Sequence, residues 1–110
     1  MSVNNNLNYI KRETDEIVRK ITDKYKIEKI ILFGSYAYGN PDKDSDIDIC
    51  IITDENRRKM DLISEIRMEL FDFEFSLDIL VYKSEDFRYR ADSNTSIERL
   101  ISENGVILYG

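Results

Sequence analysis

Two carboxylates at the head of an otherwise apolar segment, Asp46-Ile47-Asp48-Ile49-Cys50-Ile51-Ile52, constrain this chain more than any other feature. Side chains of a strand alternate between faces, so Asp46 and Asp48 share one face, while Ile47, Ile49 and Ile51 share the other and enter the core. Two like charges side by side raise each other's proton affinity, which is unfavourable unless a cation sits between them. Ligation by carboxylate oxygens suits Mg²⁺ or Mn²⁺ and does not select zinc. Taken alone, an Asp-x-Asp pair in an acidic chain is more often a solvated strand edge.

A third acid, Asp78, lies within Phe75-Ser76-Leu77-Asp78-Ile79-Leu80-Val81. A charge buried in the middle of such a strand is costly if unpaired, so Asp78 is expected to need a partner. That partner is either one of the chain's basic residues or, if this strand lies beside the Asp46 strand, a shared metal. Three carboxylates around one or two metal ions make a site for in-line phosphoryl or nucleotidyl displacement. Asp78 is then the candidate to accept the proton of an attacking hydroxyl. Upstream, Lys29-Ile30-Ile31-Leu32-Phe33 reads as a buried strand that stops at Gly34-Ser35. The glycine lets the backbone approach a ligand closely, and the serine hydroxyl can meet a phosphate oxygen. The plain alternative is a tight turn with a capping serine.

The remaining segments predict a small α/β (α+β) protein. Leu7, Ile10, Ile17, Val18 and Ile21 recur at helical spacing, predicting one amphipathic helix from Leu7 to Tyr25. Tyr36 to Ser45 has a loop composition, which leaves the two apolar strands as a hairpin-like pair. Thr53 or Asp54 is expected to cap a helix with Met60, Ile63, Ile66, Leu70 and Phe73 on its apolar stripe. Phe75 to Tyr82 reads as a third strand. Thr95-Ser96-Ile97-Glu98 fits a capping box, Gly105 can end that helix, and Val106 to Tyr109 can add an edge strand. The expected architecture is a small mixed β-sheet flanked by helices, with residues 1–110 as a single domain.

Composition excludes several classes of chemistry. The chain has 110 residues, one cysteine, Cys50, and no histidine, so an internal disulfide, a Cys/His zinc site and a histidine-dependent triad are ruled out. Cys50 shares the strand face of the two acids and is expected to be a buried space-filler. A formal net charge of −6 argues against tight nonspecific binding to nucleic acid, whose affinity comes from basic residues displacing counterions. Small phosphorylated ligands remain compatible, because metals and backbone N–H groups can bind them. No apolar run reaches the ~20 residues of a membrane span, and the polar start from Met1 to Asn8 lacks a secretory layout, so a cytoplasmic protein is expected.

The stretch Gly34-Ser35-Tyr36-Ala37-Tyr38-Gly39-Asn40-Pro41-Asp42-Lys43-Asp44-Ser45-Asp46-Ile47-Asp48 resembles the signature of the polymerase-beta-like nucleotidyltransferase superfamily: Gly-Ser, ten residues, then Asp-x-Asp. Ser45-Asp46-Ile47-Asp48-Ile49, Leu77-Asp78-Ile79 and the closing Ser102-Glu103-Asn104-Gly105-Val106-Ile107-Leu108-Tyr109 are similar to its minimal nucleotidyltransferase (MNT) group. The resemblance implies that Gly34 and Ser35 hold a triphosphate. It further implies that Asp46 and Asp48 bind catalytic Mg²⁺, with two ions expected, and that Asp78 completes the metal site and activates the acceptor. One departure stands out. Members of the family often carry arginine in the Gly-Ser loop where this chain has Tyr36 and Tyr38, so charge neutralisation would lean on metal and backbone.

Minimal members that resemble this chain are commonly encoded beside a helical HEPN ribonuclease toxin and adenylylate one of its tyrosines. The resemblance therefore implies an antitoxin that takes ATP as donor and a partner tyrosine hydroxyl as acceptor. Two alternatives stay open: a non-catalytic module that neutralises the partner sterically, and a nucleotidyltransferase acting on a small hydroxylated molecule.

Overall fold

The computed structural model describes residues 5–42 and 44–110; Lys43, inside the Gly-Ser to Asp-x-Asp signature, and residues 1–4 lie outside the described residues. Among the described residues four strands form one mixed sheet: β1 (Lys29–Phe33), β2 (Ile47–Ile52), β3 (Leu77–Tyr82) and β4 (Val106–Tyr109), in the order β3-β2-β1-β4. β1 runs antiparallel to both β2 and β4, whereas β3 lies parallel to β2. The parallel step requires a crossover, supplied by helix α4 (Lys59–Glu69) between β2 and β3.

Alternation along the strands builds two different faces. Ile30, Leu32, Ile47, Ile49, Ile51, Ile79 and Val81 project to one side and form the larger core. There they meet α2 (Lys11–Lys24) and α4 through Ile17, Ile21, Leu62 and Ile66, and Leu7 of α1 (Asn5–Tyr9) packs against the same cluster. Each fully buried isoleucine contributes about 1.5–3 kcal/mol of transfer free energy, so this side dominates the fold's stability. Ile31, Phe33, Cys50 and Ile52 project to the opposite side, against Phe87 of α5 (Ser84–Ala91) and Ile101 of α6 (Ile97–Asn104). Cys50 is fully buried there, and burial pushes its thiol pKa up to about 12, so it is an unreactive filler as expected.

Several expectations need correction. The N-terminal helix is broken at Ile10, which is fully buried between α1 and α2. Neither Thr53 nor Asp54 caps α4. The Thr53 hydroxyl donates to the Lys26 carbonyl, and Arg58 occupies the cap position without a side-chain bond. Met60 is 66% exposed, and Leu62 takes the inward position instead. The α6 cap is Ser96 rather than Thr95: its Oγ accepts from the Arg99 N–H at 3.0 Å. Glu98 is thereby freed from the cap and accepts the Tyr82 hydroxyl at 2.5 Å inside the smaller core. Helix α5 had no counterpart in the sequence reading.

Candidate active site

Gly34 ends β1 with φ +77° and begins the single helical turn α3 (Ser35–Tyr38), a segment expected to be a loop. The turn is held by the N–H groups of Ala37 and Tyr38 donating to the Gly34 carbonyl at 3.0 and 2.9 Å. It is closed by Gly39, whose φ of +104° is the left-handed C-cap that a side chain would resist. The following loop is fastened by Asp42, whose Oδ1 accepts from the Asp44 N–H at 2.8 Å, and by Ser45, whose Oγ accepts from the Asp42 N–H at 2.8 Å. These bonds fix where the chain enters β2 and hence where Asp46 and Asp48 stand. The Asp-x-x-Ser pattern was the available signal for this turn.

The register then assembles the carboxylates. Asp48 pairs with Phe33 of β1 on one side and with Asp78 of β3 on the other, and Asp46 precedes the first residue of β2. One row further along the same face the side chains are Leu80, Cys50 and Ile31, covered by α5 and α6. The acids therefore occupy the uncovered end of a face whose next row is apolar. Asp46 and Asp78 are exposed and Asp48 is half-buried. This corrects the expectation that Asp78 is the buried charge: β3 is an edge strand, so water reaches Asp78, and Asp48 bears the desolvation.

Burial raises the Asp48 pKa from 3.8 to about 6, and the neighbouring negative charges of Asp78 and then Asp46 add to the shift. Among the described residues no three His, Cys, Asp or Glu side chains close around one point. Gly34 abuts Asp48 directly: a Cβ at position 34 would lie 1.9 Å from Asp48 Oδ2. An all-carboxylate donor set beside a backbone cradle that any side chain would fill suits a hard divalent cation carrying phosphate oxygens.

The two tyrosines of the turn separate. Tyr36 is 3% exposed and packs edge-to-face on Phe75, with ring centroids 6.3 Å apart, as part of the larger core. Tyr38 is 39% exposed, and partial burial of its phenol raises its pKa, with the Asp48 charge adding to the rise and the Gly34 backbone opposing it. Sequence reasoning treated the pair alike; only the direction of the helical turn tells them apart.

Residues 14–108 match the family described as Nucleotidyltransferase domain. The chain belongs to this family. Two curated relatives from Methanocaldococcus jannaschii carry the name "Putative protein adenylyltransferase". One is 36% identical over 86% of this chain and 92% of the relative. The other is 52% identical over 40% of this chain, a match that spans only 48% of that relative's length. Among solved structures, a chain of a toxin–antitoxin with AMP-PNP superposes with TM-score 0.58 at 22% identity, covering 88% of this chain and 73% of that one. A chain of the tri-AMPylated Shewanella oneidensis HEPN toxin in complex with MNT antitoxin gives TM-score 0.52 at 20% identity, covering 91% and 71%. At such identities these neighbours establish the nucleotidyltransferase fold.

Proposed function

We propose that this nucleotidyltransferase domain is an Mg²⁺-dependent protein adenylyltransferase that moves AMP from ATP to a tyrosine hydroxyl of a HEPN-type toxin partner, acting as its antitoxin. The observation that carries it is the in-register Asp48–Asp78 pair, with Asp46 two residues away and the Gly34 cradle against it. The protein adenylyltransferase names of the relatives and the AMPylated HEPN toxin in a neighbouring structure support the donor, the acceptor and the partner.

Asp46, Asp48 and Asp78 would hold Mg²⁺, which when bound supplies the positive charge that offsets the triphosphate and the charge developing at the displaced oxygen. Gly34 and Ser35 receive the triphosphate, Gly34 by close backbone approach and Ser35 through its hydroxyl. The acceptor oxygen forms a bond to the α-phosphorus as the bond to the bridging oxygen breaks and pyrophosphate leaves. Asp78, exposed at the edge strand beside the half-buried Asp48, takes the acceptor's proton.

To test this, the pure protein is incubated with each α-labelled nucleoside triphosphate and Mg²⁺, with and without the neighbouring gene's product. Label from ATP is expected on a partner tyrosine located by mass spectrometry. Transfer to a free small molecule with no partner would replace the acceptor in this account. One feature favours the sterically acting module as a second reading: α3 carries no basic residue to meet a triphosphate. Neutralisation that persists without Asp46 and Asp48 would select that reading.

A further inference from the structure

The acids of the candidate site stand at the amino ends of β2 and β3, and a second feature lies at the carboxyl ends. The parallel pair finishes at Ile52 and Tyr82, four rows or about 13 Å beyond Asp48 and Asp78. There a cavity of about 140 Å³ opens between the start of α4 and α5, lined by the buried Leu62 and Val81 and by Tyr82. Crevices at the carboxyl ends of parallel strands, where the following helices begin, are common ligand sites in open sheets.

The charge of this cavity runs against that of the chain. The net charge is −6, yet Arg57, Lys59, Lys83 and Arg90 line it against two acids, Glu55 and Asp86. Arg57 is tied to Glu65, and Glu55 accepts the Lys26 N–H at 2.7 Å. Lys59, Lys83 and Arg90 make no ion pair among the described residues. Arg90 does not pair even with Asp86, one turn before it on α5, a spacing at which such pairs commonly form. Lys59 Nζ lies 5.0 Å from the centroid of the Tyr82 ring, whose hydroxyl is fixed on Glu98. Both helices begin here with cap residues, Arg58 and Lys83, that form no side-chain cap bond, although Asp54 takes the Ser84 N–H at 3.2 Å. The positive ends of the two helices thus add to the side-chain charge.

We propose that this cavity is a binding site for a small phosphate-bearing anion, held by Lys59, Lys83 and Arg90 at the carboxyl ends of β2 and β3. The site is separate from the carboxylate row and independent of the nucleotidyl-transfer reading. A phosphate monoester, with close to two negative charges and three terminal oxygens, matches three cationic donors better than one carboxylate does. A compact head group suits the cavity, whereas a long nucleic acid would run from it onto a chain of net negative charge.

The test follows backbone amide chemical shifts while inorganic phosphate is titrated without Mg²⁺, at an ionic strength held constant with chloride. The proteins are the wild type, a Lys83→Ala, Arg90→Ala variant and a Lys11→Ala, Arg12→Ala control on α2. Saturable shifts are expected at Thr53, Lys59 and Lys83. Binding should be about tenfold weaker in the Lys83, Arg90 variant, the loss of charge-assisted hydrogen bonds, and unchanged in the control. The side chains removed are exposed, so the thermal unfolding midpoint, measured in parallel, should be kept. Equal weakening in both variants, or a response to chloride equal to that to phosphate, would reduce the effect to general screening and overturn the site. Shifts centred on Gly34 and Ser35 would overturn it by moving the anion to the candidate active site. A short single-stranded RNA that displaces phosphate from the same amides would overturn the small-anion assignment.

Discussion

Asp48 fills the space that a side chain at position 34 would need: its Oδ2 lies 1.9 Å from where a Cβ on Gly34 would fall. Two requirements therefore meet at one residue, since Gly34 also holds a φ of +77° that L-residues with side chains resist. The glycine of the Gly-Ser element is a condition for the position of the central carboxylate.

Gly34→Ala is accordingly expected to destabilise the protein by about 1–3 kcal/mol and to abolish transfer, because either Asp48 or the end of β1 must move. Denaturant unfolding checks the first part. A change within about 0.5 kcal/mol, the range of an ordinary surface substitution, would show that the collision is relieved at no cost.

Asp48 makes the metal-free protein pH-sensitive in an identifiable direction. Its pKa is raised from 3.8 to about 6 on folding, so the folded state disfavours the ionised carboxylate. The resulting penalty is absent below pH 3.8, grows as pH rises toward about 6, and is full above it. Asp48→Asn should therefore stabilise the metal-free protein at pH 7 by about 1 kcal/mol, after allowance for solvent screening of a half-buried group, and give no such gain at pH 3.5 or below. Urea unfolding across this range checks the sign. A mutant less stable than wild type at neutral pH would contradict it.

Mg²⁺ should raise the unfolding midpoint at pH 7, since a ligand that binds only the folded state stabilises it by mass action. The rise should shrink at pH 5, where the Asp48 proton competes with the metal. Thermal scans with and without Mg²⁺ on the wild type and on the Asp46→Ala, Asp48→Ala double mutant check both points. Equal Mg²⁺ shifts in the two proteins would place the ion elsewhere.

On the far side of the smaller core, Glu98 is 7% exposed and accepts the Tyr82 hydroxyl at 2.5 Å. Tyr82→Phe removes that donor and strands a buried acceptor, which should cost about 1–3 kcal/mol without changing nucleotide affinity. Denaturant unfolding paired with AMP-PNP binding separates the two effects.

Much of this was legible in the sequence wherever one strong local rule acted alone. β1 ends at Gly34, the isoleucines of β2 alternate with its acids, and Gly105 ends the last helix. Elements whose identity depends on their neighbours were not legible. α3 is a single turn, too short to show periodicity, and α5 buries only Phe87 among polar residues, so neither has an apolar stripe to read. Strand order decided the Asp78 environment: an edge strand is solvated where a central one would not be, and order follows from the α4 crossover rather than from composition. The carboxylate pairing was legible as a condition, that β3 lie beside β2, and the parallel register from Ile47–Leu77 to Ile52–Tyr82 meets it.

The most direct measurement of the central claim is transfer of α-labelled ATP to the partner protein by the wild type and by the Asp46→Ala, Asp48→Ala double mutant, with complex formation measured in parallel. The account predicts label on the partner with the wild type, none with the double mutant, and a complex that still forms with both. Label transferred equally by the double mutant, or no transfer by a wild-type protein that still binds and neutralises its partner, would contradict it.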